Sequence, residues 1–411
     1  MILSQITTFA KNFKRARMLK NIFNTLFTKF TFAGVNFVIL MIVSHALGSQ
    51  GKGEQAIISF NVYISMLILT LIGNSTLIYL TPRKSFSSLF FPSLIWIVIC
   101  SLIITLFVGW EPKIIVLIAF FGAFSEINYY TLMGKERIAS ANNVKLIICL
   151  TNLLIMGGLF LLNRFNDVMF YVYSVLIAHF LGFLYGFIAL RKEYFKLKIP
   201  TTKQLIKNFK LLFSLGFVKQ IGSIAQTYNY RLAFYVLAMY HSKSLVGVYS
   251  NACSIGEAVM LFGTSLALVQ YSKLSNTNNK QTSINLTLKL TRANAIFTFV
   301  ALLVLCLLPN SVWVFMFGKG FEDVGYIIRL LSVGIMLLSC SSNFTQYFAS
   351  KGNFTIAMFA SIVGLVVTLV LCFALIPKYN IVGAALAACV SYSVTFVIEL
   401  IYFLLWKRKN Y

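Results

Sequence analysis

Acidic side chains are scarce in this sequence. Its 411 residues include 10 aspartates and glutamates against 35 lysines and arginines, which gives a formal net charge of +25 at pH 7. Only 11% of the residues are charged, whereas soluble domains carry about 25%. In a soluble protein this net charge would suggest nucleic acid as a partner, but the low charged fraction excludes a soluble domain. We therefore expect no nucleic-acid partner and assign the cations to cytoplasmic loops that attract anionic membrane lipid.

Motifs for catalysis and for cofactor binding are missing as well. The seven cysteines show no CxxC spacing, so neither a disulfide framework nor a metal site follows. The sequence contains no Walker A lysine motif, dinucleotide glycine pattern, HExxH or nucleophile elbow. We expect no catalytic residues, no cofactor and no direct use of ATP, so the protein is not expected to be an enzyme.

Long hydrophobic runs dominate what is present. Hydrophobic residues make up 59% of the chain, and runs near or above about 18 residues recur without the alternation of barrel strands. This pattern predicts an all-α polytopic membrane protein. The twelve predicted transmembrane helices are residues 22–47, 57–80, 89–108, 114–132, 144–162, 168–190, 211–239, 248–271, 293–308, 324–349, 356–376 and 384–405. Connections rich in lysine and arginine alternate with connections that hold one each, which predicts both termini in the cytoplasm.

A basic stretch at residues 191–210 divides these spans into two groups of six. We predict a basic cytoplasmic arm (1–21), an N-terminal six-helix lobe (22–190), this basic linker, a C-terminal six-helix lobe (211–405) and a basic cytoplasmic tail (406–411). Gly53 opens the second helix much as Gly247 opens the eighth, which favours a repeat, although glycines commonly end helices in any protein. Two such lobes are typical of a transporter with its site between them.

The predicted seventh helix, residues 211–239, carries cations at membrane depth. At about 100° per residue, Lys219, Ser223, Gln226 and Tyr230 lie on one stripe and Arg231 lies at its edge. Charge inside a membrane is rare and usually faces a bundle interior or a water-filled cavity. The alternative is that either cation extends toward the headgroups.

The first helix repeats this pattern, because Lys29 and Asn36 share a face. Arg329, in the tenth helix, either extends the set or reaches the interface. Cations in both lobes predict a central cationic cavity, and clustered lysines and arginines suit a substrate that carries phosphate. The predicted diphosphate-binding residues are Lys29, Lys219, Arg231 and Arg329, and the predicted polar residues of the lumen are Asn36, Ser223, Gln226 and Tyr230.

Three glutamates lie within predicted spans. Glu257 is a candidate site for a coupling proton or sodium ion, or else a counter-charge to Lys219 or Arg231 that holds helices together. Glu126 has the same two interpretations, with the structural one favoured, and Glu399 is interpreted as structural. His45 and His179 stand alone on apolar helices and are expected to be structural rather than metal ligands.

Three stretches resemble the polysaccharide flippases of the multidrug/oligosaccharidyl-lipid/polysaccharide exporter superfamily, most closely the Wzx-type O-antigen flippases. They are ALGSQGKG (46–53), LVGVYSNA (245–252) and IPKYNIVGAA (376–385). Asn380 stands where the family usually has glycine, and asparagine also tolerates a left-handed backbone. Gln55 replaces an aromatic residue. Tyr230 replaces an acidic residue before the arginine of the seventh helix, so we expect Arg231 to lack a local ion pair and to be freer to meet substrate.

The resemblance implies a flippase of lipopolysaccharide biosynthesis in the bacterial inner membrane. Such a protein moves an undecaprenyl-diphosphate-linked oligosaccharide, the O-antigen repeat unit, to the periplasmic leaflet by alternating access, coupled to an ion. A polysaccharide polymerase and a chain-length regulator in the membrane are implied partners. The alternatives are a lipid II flippase, a drug or cation antiporter of the same superfamily and, from another class, an O-antigen polymerase. Polymerases of that kind resemble one another in having a large periplasmic loop, which this sequence lacks.

Overall fold

The computed structural model of the protein describes the backbone of residues 2–74, 76–107, 113–275 and 279–409. It describes side chains in residues 27–74, 76–106, 113–271, 273–274 and 279–408. The side chains of the predicted basic arm (1–21) and the end of the predicted basic tail lie outside the described residues.

Helices make up nearly all of the described chain, which confirms the predicted all-α class. They are α1 (Ile2–Leu69), α2 (Thr76–Leu80), α3 (Phe86–Phe107), α4 (Lys113–Gly134), α5 (Ile138–Leu161), α6 (Val168–Ala189), α7 (Arg191–Tyr194), α8 (Thr202–Tyr240), α9 (Lys243–Ser275), α10 (Lys280–Leu307), α11 (Asn310–Phe317), α12 (Val324–Ser350) and α13 (Thr355–Lys409).

The lengths of these helices agree with twelve membrane spans. Within the described ranges, nine helices are long and apolar enough to cross a membrane. Two of the nine, α1 and α13, bend at Gly48 (φ 63°) and Asn380 (φ 52°) and so supply two spans each. A straight helix of the length of α1 would be about 100 Å long, far more than the roughly 30 Å of a bilayer core. Helix α8, with 39 residues, is long enough but more polar, and it completes the twelve.

The bend of α13 lies at Asn380, whose positive φ agrees with the expectation that asparagine can stand where the family usually has glycine. Its positive φ is the conformation that glycine adopts most easily and that asparagine tolerates better than most residues. Near the bend, the carbonyl of Ile376 accepts a hydrogen bond from His241 Nε2 at 2.8 Å. The turn before the last span is therefore held by the backbone conformation of Asn380 and by the hydrogen bond from His241, the residue that follows α8.

Several helices begin or end away from the predicted positions. The predicted second span, residues 57–80, ends early. Helix α1 stops at Leu69, and Gly73 (φ 129°) lies between it and the short helix α2. Helix α8 begins at Thr202, inside the predicted linker, and α10 begins at Lys280, ahead of the predicted residue 293. Hydropathy detects only the part of a helix that lies in hydrocarbon. The first residues of α8 and α10 are polar, so hydropathy did not predict them as parts of these helices.

The chain divides into two compact units. Unit 1 comprises Met1–Ile39, Ile68–Gly158 and Val172–Gly216, and unit 2 comprises Leu40–Leu67, Leu159–Tyr171 and Phe217–Tyr411. Helices α1 and α8 contribute to both units. The predicted division into six-helix halves on either side of residues 191–210 stays a prediction, as does a cavity between them.

A neutral polar network holds three helices of unit 2 together. Asn294 Nδ2 of α10 donates to the Ser339 carbonyl at 2.8 Å and to Asn343 Oδ1 at 2.9 Å, both on α12. Asn343 Nδ2 donates to Gln270 Oε1 of α9 at 2.8 Å. All these groups are buried, and in a membrane interior such amides must find protein partners. This network is complete without a ligand, so its role is structural.

Candidate functional site

Arg231 is the centre of the candidate site in unit 2. Its Nη2 atom lies 2.6 Å from Glu257 Oε1 of α9, and its Cζ atom lies 5.2 Å from the ring centre of Phe234. The Arg231 side chain is 22% exposed and that of Glu257 is 39% exposed. The expectation that Arg231 is freer because Tyr230 replaces an acidic neighbour was therefore wrong. The carboxylate comes from the adjacent helix, which sequence spacing along α8 cannot reveal.

Lys52 is a second basic residue at this site, although it lies in the predicted connection between the spans 22–47 and 57–80. Its residue surface is only 5% exposed. Its Nζ donates to Gln55 Oε1, and its charge lies within electrostatic range of Arg231. We define Lys52, Gln55, Arg231 and Glu257 as the cation site. Two features of the sequence could have identified it: Gln55 replaces an aromatic residue, and Lys52 and Gln55 share one face of a helix at this spacing.

Polar side chains continue away from the cation site along α1. Gln55 Nε2 donates to Ser59 Oγ at 2.7 Å, and Ser59 Oγ lies 2.9 Å from the hydroxyl oxygen of Tyr171. Further along, the Tyr235 hydroxyl donates to Asn61 Oδ1. These contacts fix the orientation of Gln55 and hence of the lysine that it binds.

A small cavity borders Glu257. The rings of Tyr230 and Tyr392 meet there edge to face, with centres 5.6 Å apart. Tyrosine combines an apolar ring with a hydrogen-bonding hydroxyl, so this wall of the cavity contains both kinds of surface. The lining residues are Tyr230, Cys253, Gly256, Glu257, Met260, Leu331, Ile335 and Tyr392.

Two glycines allow α1 and α9 to touch beside the cation site. A Cβ atom on Gly53 would overlap the carbonyl oxygen of Lys243, and one on Gly247 would overlap the carbonyl oxygen of Ser49. Next to them, Ser49 Oγ lies 2.5 Å from Ser244 Oγ. We call this the glycine contact. Gly53 and Gly247, which the sequence suggested as equivalent positions of a repeat, thus meet each other.

Lys219 and Arg329, the other predicted cations of unit 2, lie on exposed helix surfaces. Lys219 is on an exposed part of α8, twelve positions before Arg231, which is about 18 Å along the helix axis. Arg329 is exposed on α12. The half-exposed Lys29 and the exposed Asn36 belong to unit 1. A convergence of all four cations stays a prediction, and Lys219 is too far along α8 to share one phosphate group with Arg231.

Two predicted lumen residues make hydrogen bonds within unit 2. Ser223 Oγ donates to the carbonyl of Lys219 at 3.1 Å, within its own helix. Gln226 Oε1 accepts from Ser361 Oγ of α13 at 2.7 Å. Both side chains are half-buried, so they add polarity to this part of α8 while also supporting its packing.

Glu126 forms the corresponding ion pair of unit 1. Its Oε1 atom pairs with Lys145 Nζ of α5, and that amine also lies 4.9 Å from the ring centre of Tyr129. Both predicted ion-coupling residues, Glu126 and Glu257, therefore contact cations, which favours the counter-charge interpretation of each. His45 Nε2 lies 3.2 Å from the Phe315 carbonyl, in agreement with a structural role.

No cluster of metal-ligating side chains occurs in the portion of the chain that the structure describes. Twelve spans, with ion pairs between helices that are long enough to cross a membrane, define a polytopic membrane protein. Solved transporters have this fold. A lipid II flippase MurJ in an inward closed conformation aligns with a TM-score of 0.74 at 17% identity, over 92% of this chain and 86% of that one. An inward-facing multidrug resistance MATE family transporter of the MOP superfamily aligns with a TM-score of 0.73 at 14% identity, over 90% and 93%.

The chain belongs to the family of the lipid II flippase MurJ, whose model matches residues 141–411. This family and the matched folds are those of transporters, in agreement with the expectation that the protein is not an enzyme. The resemblance to flippases is therefore confirmed at the level of the superfamily.

Two curated relatives carry names from glycan synthesis. One is "Probable low-salt glycan biosynthesis flippase Agl15" of Haloferax volcanii, 23% identical over 271 residues, covering 65% of this chain and 56% of the relative. The other is "Capsular polysaccharide biosynthesis protein CapF" of Staphylococcus aureus, 26% identical over 220 residues, covering 53% and 54%. The chain thus spans about half the length of these relatives.

Proposed function

We propose that the protein is a flippase that moves an undecaprenyl-diphosphate-linked oligosaccharide across the bacterial inner membrane. Membership of the MurJ family supports the class of transport, and the glycan-related names of both relatives support the class of substrate. An O-antigen repeat unit is the specific cargo that we propose, from the resemblance to Wzx-type flippases.

The cation site carries this proposal. Arg231 pairs with the carboxylate of Glu257, and Lys52 places a second basic side chain within electrostatic range of Arg231. A guanidinium binds phosphate through paired hydrogen bonds, and such charge-assisted bonds are stronger than neutral ones. The diphosphate would take the place of Glu257 on Arg231 and would also contact Lys52. Without substrate, Arg231 is thus paired with the Glu257 carboxylate, and the diphosphate of the substrate would replace that carboxylate.

The remaining polar groups suit the rest of the substrate. The sugars would contact Tyr230 and Tyr392 at the cavity, while the polyprenyl tail stays in lipid. Lys219 lies along α8 and would meet the headgroup at a different stage from Arg231, since about 18 Å separates their positions. We propose that Lys29 and Arg329 provide further contacts along the path, with Asn36, Ser223 and Gln226 as polar lining.

The glycine contact would close one side of the transport path in the described conformation. With both termini in the cytoplasm, the bend at Gly48 and the start of α9 face the periplasm. Release of the substrate there requires α1 and α9 to separate, so the glycine contact opens and closes once in each cycle of alternating access. A polymerase and a chain-length regulator in the membrane would receive the product, and the basic cytoplasmic loops would bind anionic lipid.

Transport by purified protein tests this function. Proteoliposomes containing a fluorescent undecaprenyl-diphosphate-linked oligosaccharide would report its movement between leaflets. We expect Arg231→Ala and Lys52→Ala each to slow transport by about tenfold or more, because a hydrogen bond to a charged group contributes about 1.5–3 kcal/mol. Lys378→Ala, which removes an exposed lysine near the bend of α13, is the matched control. Wild-type rates in both variants of the cation site would contradict the proposal.

A lipid II flippase is the second candidate, favoured by the family match itself. Lipid II and an O-antigen precursor share the polyprenyl diphosphate, so the cation site serves either one. The same proteoliposomes loaded with lipid II separate the two candidates. Faster transport of lipid II than of the oligosaccharide would replace the O-antigen assignment and leave the role of the cation site intact.

A further inference from the structure

The linker between α6 and α8 is held against unit 1 by Tyr194, the last residue of α7. The hydroxyl of Tyr194 donates to Asn128 Oδ1 of α4 at 2.6 Å. Its ring packs on three phenylalanine rings, with ring centres 4.7 to 5.3 Å away: Phe86 and Phe90 of α3 and Phe187 of α6. The short helix α7 is therefore attached to three longer helices at once.

Two further contacts hold the residues on either side of this tyrosine. Glu193 Oε1 lies 2.7 Å from Lys135 Nζ, just after the end of α4. The backbone N–H of Lys198 donates to Ser87 Oγ, in the first turn of α3, at 3.1 Å. Helix α3 has 22 residues, about the number that crosses the hydrocarbon core, so its first turn marks the edge of that core. Residues 193–198 thus lie at the depth where the membrane meets water.

The same segment exposes two large apolar side chains. Phe195 is 82% exposed and Ile199 is 87% exposed. Both follow the end of α6 at Ala189, so they lie outside the apolar spans, where exposed side chains simply face lipid. Contact of such side chains with water is unfavourable, and apolar side chains with a polar rim mark a site of interaction with a membrane or a protein.

Basic side chains form the rim. Between residues 191 and 210 the sequence has seven lysines and arginines and one acidic residue, Glu193, whose carboxylate already forms an ion pair. Lys192, Lys196 and Lys198 are exposed. Such a surface is complementary to anionic phospholipid, which offers phosphates at the headgroups and hydrocarbon just below them. The leaflet is adjacent at this depth, which favours lipid over a protein partner.

We infer that residues 192–199 form an interfacial anchor, in which Phe195 and Ile199 insert into the adjacent leaflet and the three lysines bind the phosphates of anionic phospholipid. The interfacial anchor differs from a general attraction of basic loops to lipid, because contacts with unit 1 hold its apolar side chains in one place. Its position on the cytoplasmic side rests on the proposed function, and the insertion itself does not. Helix α8 begins at Thr202, so the same contact holds the start of α8 near the headgroups.

Photo-crosslinking of the full chain in membranes of the expressing bacterium tests the insertion. Replacing Phe195 by p-benzoylphenylalanine keeps an aromatic side chain and adds a ketone that reacts with nearby C–H bonds on irradiation. We expect the purified protein to gain the mass of one phospholipid. The same replacement at Gln204, which is exposed in the polar first turn of α8, is the control and should gain little. Equal lipid adducts at both positions, or adducts with another protein at position 195, would overturn the inference.

The lipid composition of these adducts tests the role of the lysines. In nanodiscs with a minor fraction of phosphatidylglycerol in phosphatidylcholine, we expect phosphatidylglycerol to be enriched at position 195 by about fivefold, the factor for one basic side chain near an anionic surface. Two triple variants compare equal losses of charge: Lys192→Gln, Lys196→Gln and Lys198→Gln in the interfacial anchor, and Lys203→Gln, Lys207→Gln and Lys210→Gln in the exposed start of α8.

Only the first triple variant should bring the adducts to the bulk lipid composition. Full enrichment in that variant, or equal loss in both, would overturn the binding of anionic phospholipid by these three lysines. Neither measurement requires transport. If wild type moves no lipid-linked oligosaccharide, the proposed function fails and the adducts still decide whether the interfacial anchor inserts. Absence of lipid adducts in protein that transports would overturn the interfacial anchor and leave the proposed function intact.

Discussion

The two units each contain an ion pair at membrane depth, and the pairs differ in their surroundings. In unit 1, Lys145 and Glu126 form a one-to-one pair next to the ring of Tyr129, with side chains 32% and 17% exposed. In unit 2, the Arg231–Glu257 pair has Lys52 as an additional cation and a cavity at its side. We propose that this additional lysine separates a pair that holds helices together from one that can accept an anion.

The sharpest test of this comparison neutralises each pair completely. We expect Arg231→Gln with Glu257→Gln to reduce transport by about tenfold or more, because the charge-assisted bonds to the diphosphate are lost. Lys145→Gln with Glu126→Gln should retain most transport, since no charge is left unpaired. The proteoliposome assay measures both. Equal losses in the two double variants would abolish the distinction between the pairs.

The glycine contact of unit 2 depends on how closely the backbones of α1 and α9 approach each other. We expect Gly247→Ala to weaken the contact, since its Cβ atom would overlap a backbone oxygen of Ser49 that no rotamer change can move, and overpacking costs about 1–3 kcal/mol. The measurement is disulfide trapping in a Ser49→Cys, Ser244→Cys background, where we expect several-fold less cross-link.

Gly157→Ala is the control for this experiment. Gly157 belongs to unit 1, and a Cβ atom there meets nothing within 4 Å. Unchanged cross-linking in Gly247→Ala would show that α1 and α9 tolerate a wider separation than the glycine contact implies.

Replacing one residue of an ion pair should lower the stability of the protein, and the two pairs should differ in the size of that loss. Glu126→Gln leaves Lys145 without its carboxylate, and breaking a buried pair is destabilising. Partial exposure reduces the expected loss to about 1–3 kcal/mol, below the value for a fully buried pair. Thermal unfolding in detergent should show a lower midpoint, restored when Lys145→Met is added. No change in midpoint would mean that the unit 1 pair contributes nothing to folding.

The smallest expected effect concerns the carboxylate of unit 2. Glu257→Gln removes the resident anion from Arg231, so we expect the affinity for inorganic pyrophosphate to rise by a few fold. Calorimetric titration with pyrophosphate checks the affinity. Weaker binding in this variant would indicate that Glu257 orients Arg231 rather than competing for it.

Much of the fold and part of the site could be predicted from the sequence. Hydrophobic runs of membrane length predicted the all-α class and twelve spans, and Asn380 was expected to tolerate the positive φ that it adopts. Arg231 was identified because charge within an apolar run is conspicuous, and Glu257 was considered as its counter-charge. Lys52 was not predicted as a site residue, since a lysine in a glycine-rich stretch resembles a loop residue and its burial is known only from the structure.

The sequence by itself determined which segments are helices and which residues carry charge, because length, hydropathy and backbone preference are local properties. The tertiary structure decided which charges meet. Arg231 finds Glu257 on another helix, Lys52 is buried next to them, and Glu399 receives hydroxyls from α12. The physical reason is that Coulomb energy and desolvation depend on distances and burial between helices, and those are set only when the helices pack.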